Sequence, residues 1–269
     1  MVRHPVYGAS APALGWVPAP RYVLRRARIL AWLDALPRAE RGRALEVGCG
    51  AGALLFDLAE RGYSIAAVET APAASALARA LHRDSPDVAI YDRPQEGWEG
   101  AFDLVLAFEV LEHIEDDAGA LAQWRGWLRP GGRLLLSVPA RMARWTASDV
   151  FAGHMRRYER AGLLALFERS GFAVERSECY GFPLSNVTER VRAWVHARAL
   201  RRATLAAGAP PTPAKLTEGS GIERGFESRL YPLQASWPGV KLFQTFFWLQ
   251  ERFLDRELGT GYLVLARKR

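Results

Sequence analysis

The segment that most constrains this chain is Ala44-Leu-Glu-Val-Gly-Cys-Gly-Ala-Gly52. An apolar run breaks into glycines at 48, 50 and 52, and a helix-like pattern begins at Ala53. That order is a strand, a tight turn and a helix start. Glycine tolerates the unusual dihedrals of such a turn and lets a ligand approach the main chain closely. In a doubly wound α/β protein, the site above this turn holds a nucleotide-like ligand.

The chain on either side repeats the alternation. Strands are expected at 43–47, 64–68, 88–91, 102–108 and 133–138, and helices at 22–36, 54–61, 72–82 and 117–128. Gly62 suits a helix C-cap and Pro72 a first helical turn. Arg129-Pro-Gly-Gly132 stops the helix before it. Strands alternating with helices predict a mostly parallel sheet covered on both faces. After Pro139 the pattern changes. A loop carries His154-Met-Arg-Arg-Tyr158, followed by a helix near 159–170 and a strand at 172–179. Residues 184–205 read as an arginine-rich helix and 208–239 as a flexible loop. Residues 241–257 read as an aromatic helix, and 259–266 as a final strand. Residues 1–20, with Pro5, Pro12, Pro18 and Pro20, read as an irregular arm. The expected organisation is a single domain: arm and helix 1–40, core 41–183, helical cap insertion 184–257 and final strand 258–269.

Composition bounds the classes. The 269 residues are 49% hydrophobic and 24% charged, as in a soluble globular protein. The net charge of +7 is nearly all arginine, since lysine occurs only at 215, 241 and 268. The basic clusters (Arg25-Arg26, Arg156-Arg157, Arg201-Arg202) are small and scattered. They read as solvated surface rather than a nucleic-acid track, with attraction to an anionic membrane or substrate as the alternative. Cys49 and Cys179 have neither metal nor disulfide spacing. No signal-peptide pattern opens the chain and no apolar run reaches membrane-spanning length. The expected location is the cytoplasm, with peripheral membrane contact as an option.

The glycine spacing is G-x-G-x-G, not the G-x-G-x-x-G of dinucleotide-binding folds. Glu69 ends the second strand, where an acid can accept hydrogen bonds from two ribose hydroxyls. Glu46 lies inside an apolar strand, where an unpaired carboxylate is costly. It can hold the turn through backbone amides or meet a cationic ligand group.

Glu46-Val-Gly-Cys-Gly-Ala-Gly52 resembles the first motif of class I S-adenosylmethionine methyltransferases. Phe102-Asp-Leu-Val-Leu-Ala-Phe-Glu-Val-Leu-Glu-His-Ile114 resembles that family's fourth-strand motif, and Leu128-Arg-Pro-Gly-Gly-Arg-Leu-Leu-Leu-Ser-Val138 its fifth. The resemblance is to the small-molecule type, near the ubiquinone-biosynthesis O-methyltransferase group, and is weak over 1–40 and 184–257. It implies a Rossmann-like doubly wound sheet ending in an antiparallel strand, with a helical cap. It implies S-adenosylmethionine bound by Glu46, Gly48, Cys49, Gly50, Glu69 and Thr70, with Asp92 near adenine and Phe108 and Glu109 bordering the transfer site.

Such a cofactor carries an already activated methyl, so the protein mainly aligns the acceptor and excludes water. A hydroxyl acceptor also benefits from a base. His113, after the fourth strand, and His154, after the fifth, are the candidates. Arg157, Tyr158 and Tyr22 are candidate acceptor contacts, and Arg25 and Arg26 share the leading helix with Tyr22. Glu109, Glu112 and His113 form E-x-x-E-H, resembling a pattern that binds a divalent metal in some members, including quinone and small-RNA methyltransferases. The same run is common in members not known to use metal, and the expectation is a site without one. The aromatic stretch 237–253 can be core, a dimer face, a lid over an apolar acceptor or a lipid-docking helix.

The expected reaction is methyl transfer to a hydroxyl or amine of a small or lipid-like acceptor. The Asn-Pro-Pro-Tyr type of motif is absent after the fourth strand, which argues against DNA-adenine and protein-glutamine acceptors. Two alternatives stay open: a non-catalytic S-adenosylmethionine-binding interaction protein and, less well fitted, an NAD-dependent oxidoreductase.

Overall fold

The computed structural model describes residues 1–207 and 225–269. Two short strands, β1 (Val2–His4) and β2 (Gly8–Ser10), form an antiparallel hairpin. Helix α1 (Pro20–Ala35) follows. Then come β3 (Arg43–Val47), α2 (Leu55–Glu60), β4 (Ser64–Val68), α3 (Pro72–Leu81), β5 (Val88–Tyr91), β6 (Phe102–Phe108), α4 (Asp117–Trp127) and β7 (Leu128–Pro139). The second half holds α5 (Ala147–Ala152), α6 (Arg160–Arg169), β8 (Phe172–Tyr180), α7 (Leu184–Ala207), α8 (Gly225–Gln234), α9 (Trp237–Glu251) and β9 (Gly261–Lys268).

The large sheet has seven strands in the order β5-β4-β3-β6-β7-β9-β8. The β3–β4, β4–β5, β3–β6 and β6–β7 pairs are parallel. Strand β9 slots between β7 and β8 and runs antiparallel to both. This is the mostly parallel sheet that the strand–helix alternation implied, with the Rossmann-like winding and antiparallel end that the family resemblance implied. From β3 the chain winds outward to β4 and β5, then returns to place β6 on the other side of β3. The carboxyl ends of β3 and β6 therefore flank the reversal point, where doubly wound sheets open a crevice.

Each face of the sheet is sealed by its own core. On one face Ile29, Trp32 and Leu33 of α1 pack with Leu55 and Leu58 of α2 and Ala78 of α3 against Ala44, Leu104 and Leu106. On the other, Trp124 and Trp127 of α4 and Leu163 and Phe167 of α6 pack against Leu45, Val105 and Leu134. Near-continuous apolar strands fit a sheet buried on both faces.

Four readings are corrected. Residues 1–20 are not simply irregular: the β1–β2 hairpin lays Ala9, together with Trp16, on Ala51, Ala53 and Phe56, beside the glycine turn. Part of the expected 208–239 loop is helical, since α8 covers 225–234 and α9 starts at Trp237. Residues 208–224 of that segment lie outside the described residues. Helix α9 ends at Glu251 rather than 257, and β7 begins at Leu128, paired with Phe102 across an irregular step before Leu104↔Arg133. Proline and glycine at 130–132 therefore distort the strand's start without preventing it.

Candidate functional site

The glycine turn joins β3 to α2 through backbone conformations few other residues adopt. Gly48, Gly50 and Gly52 have φ of 67°, 55° and 71°. A Cβ on Gly48 would also sit 2.6 Å from Val110 Cγ2. Gly48 N–H donates to the Val68 carbonyl (2.8 Å), which stitches the turn to the end of β4. Glu69 accepts from Gly50 N–H (2.8 Å) and Ala71 N–H (2.9 Å), so its carboxylate spans the turns after β3 and β4. Beneath the turn, His82 Nε2 lies 2.8 Å from the Gly52 carbonyl and its ring stacks on Phe56.

A cavity of about 890 Å³ opens above this turn and runs toward α5 and α7. Glu46, Gly48, Cys49, Gly50, Glu69, Thr70, Phe108, Glu109, His113, His154, Arg157 and Tyr22 all line it. Asp92 does not. Its carboxylate stands on the surface at the sheet edge, held by Ser75 Oγ (2.7 Å) and Arg79 (2.8 Å). Tyr158 is buried in the core instead, and its hydroxyl donates to Asp117 (3.0 Å). Arg26 is also redirected, to Asp57 and the Val6 carbonyl.

Electrostatics divide the lining into two sets. Glu46 is buried, its Oε2 unpartnered. Burial pushes its pKa up to about 8, against the pull of Arg25. Glu109 behaves oppositely. Burial works to raise its pKa, but Arg21 and Arg25 outweigh this and hold it at about 2. Ser137 Oγ and Tyr180 OH also donate to Glu109, each at 3.0 Å. Among the described residues, Glu109 (φ 59°) and Arg141 (φ 61°) are the non-glycine residues with positive φ. They follow the ends of β6 and β7, and such strain gathers at functional sites.

The far end of the cavity is a histidine cluster. His113 closes a short 3-10 turn after β6, and His154 follows α5. Their rings meet edge to face at 4.9 Å. His154 Nδ1 lies 2.9 Å from Asp149, which also takes Arg157 Nε (2.7 Å) and Nη2 (2.8 Å). Arg157 reaches Glu189 of α7 as well. Burial, reinforced by His154, lowers the His113 pKa to about 4, so its imidazole is neutral at neutral pH. Glu112 is fully buried with neither oxygen hydrogen-bonded, Oε1 lying 3.7 Å from His154 Nε2; burial, then Glu109, pushes its pKa well up. Glu112, His113 and His154 each offer a ligand atom within 4.8 Å of the others. Two imidazoles and a carboxylate without a hydrogen bond fit a divalent cation. Glu109, the first acid of E-x-x-E-H, is turned away to its arginines.

Sequence reasoning missed Trp16, Arg21, Asp149 and the α7 residues Ser185, Thr188, Glu189, Arg192 and His196, which all line the cavity. Asp149 had one signal. Thr146-x-x-Asp149 is a capping box, and the same carboxylate that caps α5 also holds Arg157 and His154.

Residues 21–177, more than half of the chain, match the family described as "Methyltransferase domain", and the chain belongs to that family. It is 32% identical over 113 residues to a ubiquinone biosynthesis O-methyltransferase of Pseudomonas aeruginosa (strain LESB58), covering 40% of this chain and 48% of that protein. A protein of the same description from Xanthomonas euvesicatoria is 36% identical over 102 residues, 36% of this chain and 42% of that one. The chain thus spans about half the length of the curated relatives it matches. Among solved structures, an S-adenosylmethionine dependent methyltransferase from Mesorhizobium loti aligns with TM-score 0.51 and 19% identity over 93% of this chain and 98% of that one. The [4+2]-cyclase SpnF aligns with TM-score 0.55 and 18% identity over 99% and 87%. Likeness at this level is one of fold, and the cyclase is an instance of this fold carrying other chemistry.

Proposed function

We propose that this protein is an S-adenosylmethionine-dependent methyltransferase acting on a hydroxyl of a small, largely apolar acceptor. One observation carries the reading. The three-glycine turn, closed by Glu69 at the reversal point of the sheet, opens into a cavity whose other end holds two histidines. The relatives named ubiquinone biosynthesis O-methyltransferase support the choice of a hydroxyl over an amine.

In this reading the glycine turn admits the cofactor close to the main chain, and Glu69 exchanges its backbone partners for ribose hydroxyls. Glu46, protonated at neutral pH, offers a hydrogen bond from the floor of the site. Arg21, Arg25 and Glu109 form a fixed charge group beside Phe108 that orients the two reactants. His154, aligned by Asp149, would take the proton of the acceptor hydroxyl, while the cofactor would supply the activated methyl and leave as the neutral thioether. Neutral His113 packs against it and limits water. Residues of α5 and α7 cover the acceptor.

A second reading adds a divalent cation at Glu112, His113 and His154, favoured by the Glu112 carboxylate, which has no hydrogen bond. Bound there, a cation supplies Lewis acidity that lowers an acceptor hydroxyl's pKa. Stoichiometric metal in the purified protein, lost in Glu112→Ala, supports it. Metal-free protein with full activity contradicts it.

The experiment for the main reading uses methyl-labelled S-adenosylmethionine with a panel of catechols, hydroquinones and amines. Label on a phenolic oxygen, lost in His154→Ala, supports it. Cofactor binding with no transfer to any of these acceptors contradicts it.

A further inference from the structure

Helix α7 separates the cavity from solvent. Ser185, Thr188, Glu189, Arg192 and His196 line the cavity, and helical spacing puts them on one side of α7. Val187, Val191, Trp194, Arg198 and Leu205 fall on the opposite side, within an arc of about 60°. This outer stripe is open: Trp194 is 58% and Leu205 85% exposed. It runs for roughly 27 Å along the helix. An apolar stripe of this length on a helix surface calls for an apolar partner.

Charge narrows what that partner is. The Arg198 guanidinium lies 3.9 Å over the Trp194 ring, and Arg201 and Arg202 continue the exposed basic rim. Glu189, the one acid between 184 and 205, sits on the cavity side, paired with Arg157. Helix α9 repeats the arrangement. Lys241 lies over exposed Trp237 and Arg252 over exposed Trp248, on the side away from buried Phe243 and Gln250. Both helices pack on α1. Tryptophan beside a cation, with aliphatic residues along the stripe, matches the boundary between anionic headgroups and acyl chains. A second copy of this chain on the same face would set arginine against arginine, which opposes association.

We propose that the outer face of α7 docks the protein on an anionic bilayer surface, with the tryptophan–cation pairs of α9 as a further anchor. A lipid-soluble acceptor would then enter the cavity from the membrane side of α7. That entry step rests on the methyltransferase reading; the docking does not.

The test is co-sedimentation with phosphatidylcholine vesicles, with and without about one-third phosphatidylglycerol. The wild type is expected to sediment with the anionic vesicles, less so at raised salt, and to leave the neutral ones. Combined Val191→Ser, Trp194→Ser and Arg198→Ser should weaken binding by about tenfold or more. Cofactor affinity, read by calorimetry on the same samples, should stay unchanged, because none of the three lines the cavity. Should the triple variant fold poorly, Arg198→Glu alone changes the charge and should still weaken anionic binding. The proposal is overturned if the wild type ignores anionic vesicles, or if the folded variants bind as the wild type does. It is also overturned if sedimentation velocity shows an α7-dependent dimer without vesicle binding. A wild type that binds the cofactor but ignores anionic vesicles rejects the docking and leaves the function standing.

Discussion

The two ends of the cavity are built from different materials. The cofactor end is main chain: three glycines, the ends of β3 and β4, and one carboxylate bonded to backbone amides. The acceptor end is side chain: histidines, arginines and acids brought by α5, α7 and the turn after β6. A backbone site is fixed by the sheet that carries it and tolerates little change. A side-chain site can be rebuilt while the sheet stays the same. The family match ends at residue 177, so the part of the acceptor end that α7 supplies lies outside it.

Substitutions in the two ends should therefore fail differently. The largest effect is expected for Gly48→Ala. The new Cβ meets Val110 and the residue keeps a positive φ, a cost of roughly 3 kcal/mol. Calorimetry should show S-adenosylmethionine affinity falling by about a hundredfold.

At the acceptor end, Asp149→Ala takes from the buried Arg157 its bidentate partner, leaving Glu189 as its acid, and releases His154. Removing one partner of a buried ion pair costs about 3 kcal/mol, to be read by denaturant unfolding. Cofactor affinity should change much less than turnover, because Asp149 sits with the histidines and not at the glycine turn.

A smaller effect separates the two ends by pH. Glu46 is an acid whose folded pKa, about 8, lies above its usual value near 4.5. Its neutral form is favoured in the folded protein, so its contribution is complete below about pH 4.5 and is lost as pH rises through 8. Glu46→Gln, which mimics the neutral form, should flatten the fall in stability between these values. At pH 8.5 it should stabilise by on the order of 2 kcal/mol. Thermal unfolding across this range checks it, and a destabilised Gln variant contradicts the assignment.

The smallest effect belongs to Asp92→Asn. Its carboxylate is bound to Ser75 and Arg79 outside the cavity. Cofactor affinity should stay within about twofold, well inside 1 kcal/mol.

The same division governs what could be read from the sequence. Strand periods, glycine spacing and strand-end acids are local signals, so β3 to β7 and the residues around Gly48 and Glu69 were legible. Arg157 and Tyr158 show where local reading stops. They are neighbours in extended chain, with Tyr158 bridged to Ala140. Successive extended side chains point opposite ways, so one enters the cavity and the other the core. The α7 lining could not be read because its cavity face becomes a face only after α7 packs beside α1 and α5. Arg26 and Asp92 were drawn to nearer partners, Asp57 and Arg79, that no motif marks.

The central claim is that the glycine turn and Glu69 hold S-adenosylmethionine. Calorimetric titration of the wild type and of Glu69→Ala, with S-adenosylmethionine and separately with NAD, tests it most directly. The account predicts one S-adenosylmethionine per chain, affinity reduced by at least about tenfold in Glu69→Ala, and no heat with NAD. Binding of NAD, or S-adenosylmethionine binding indifferent to Glu69, would contradict it.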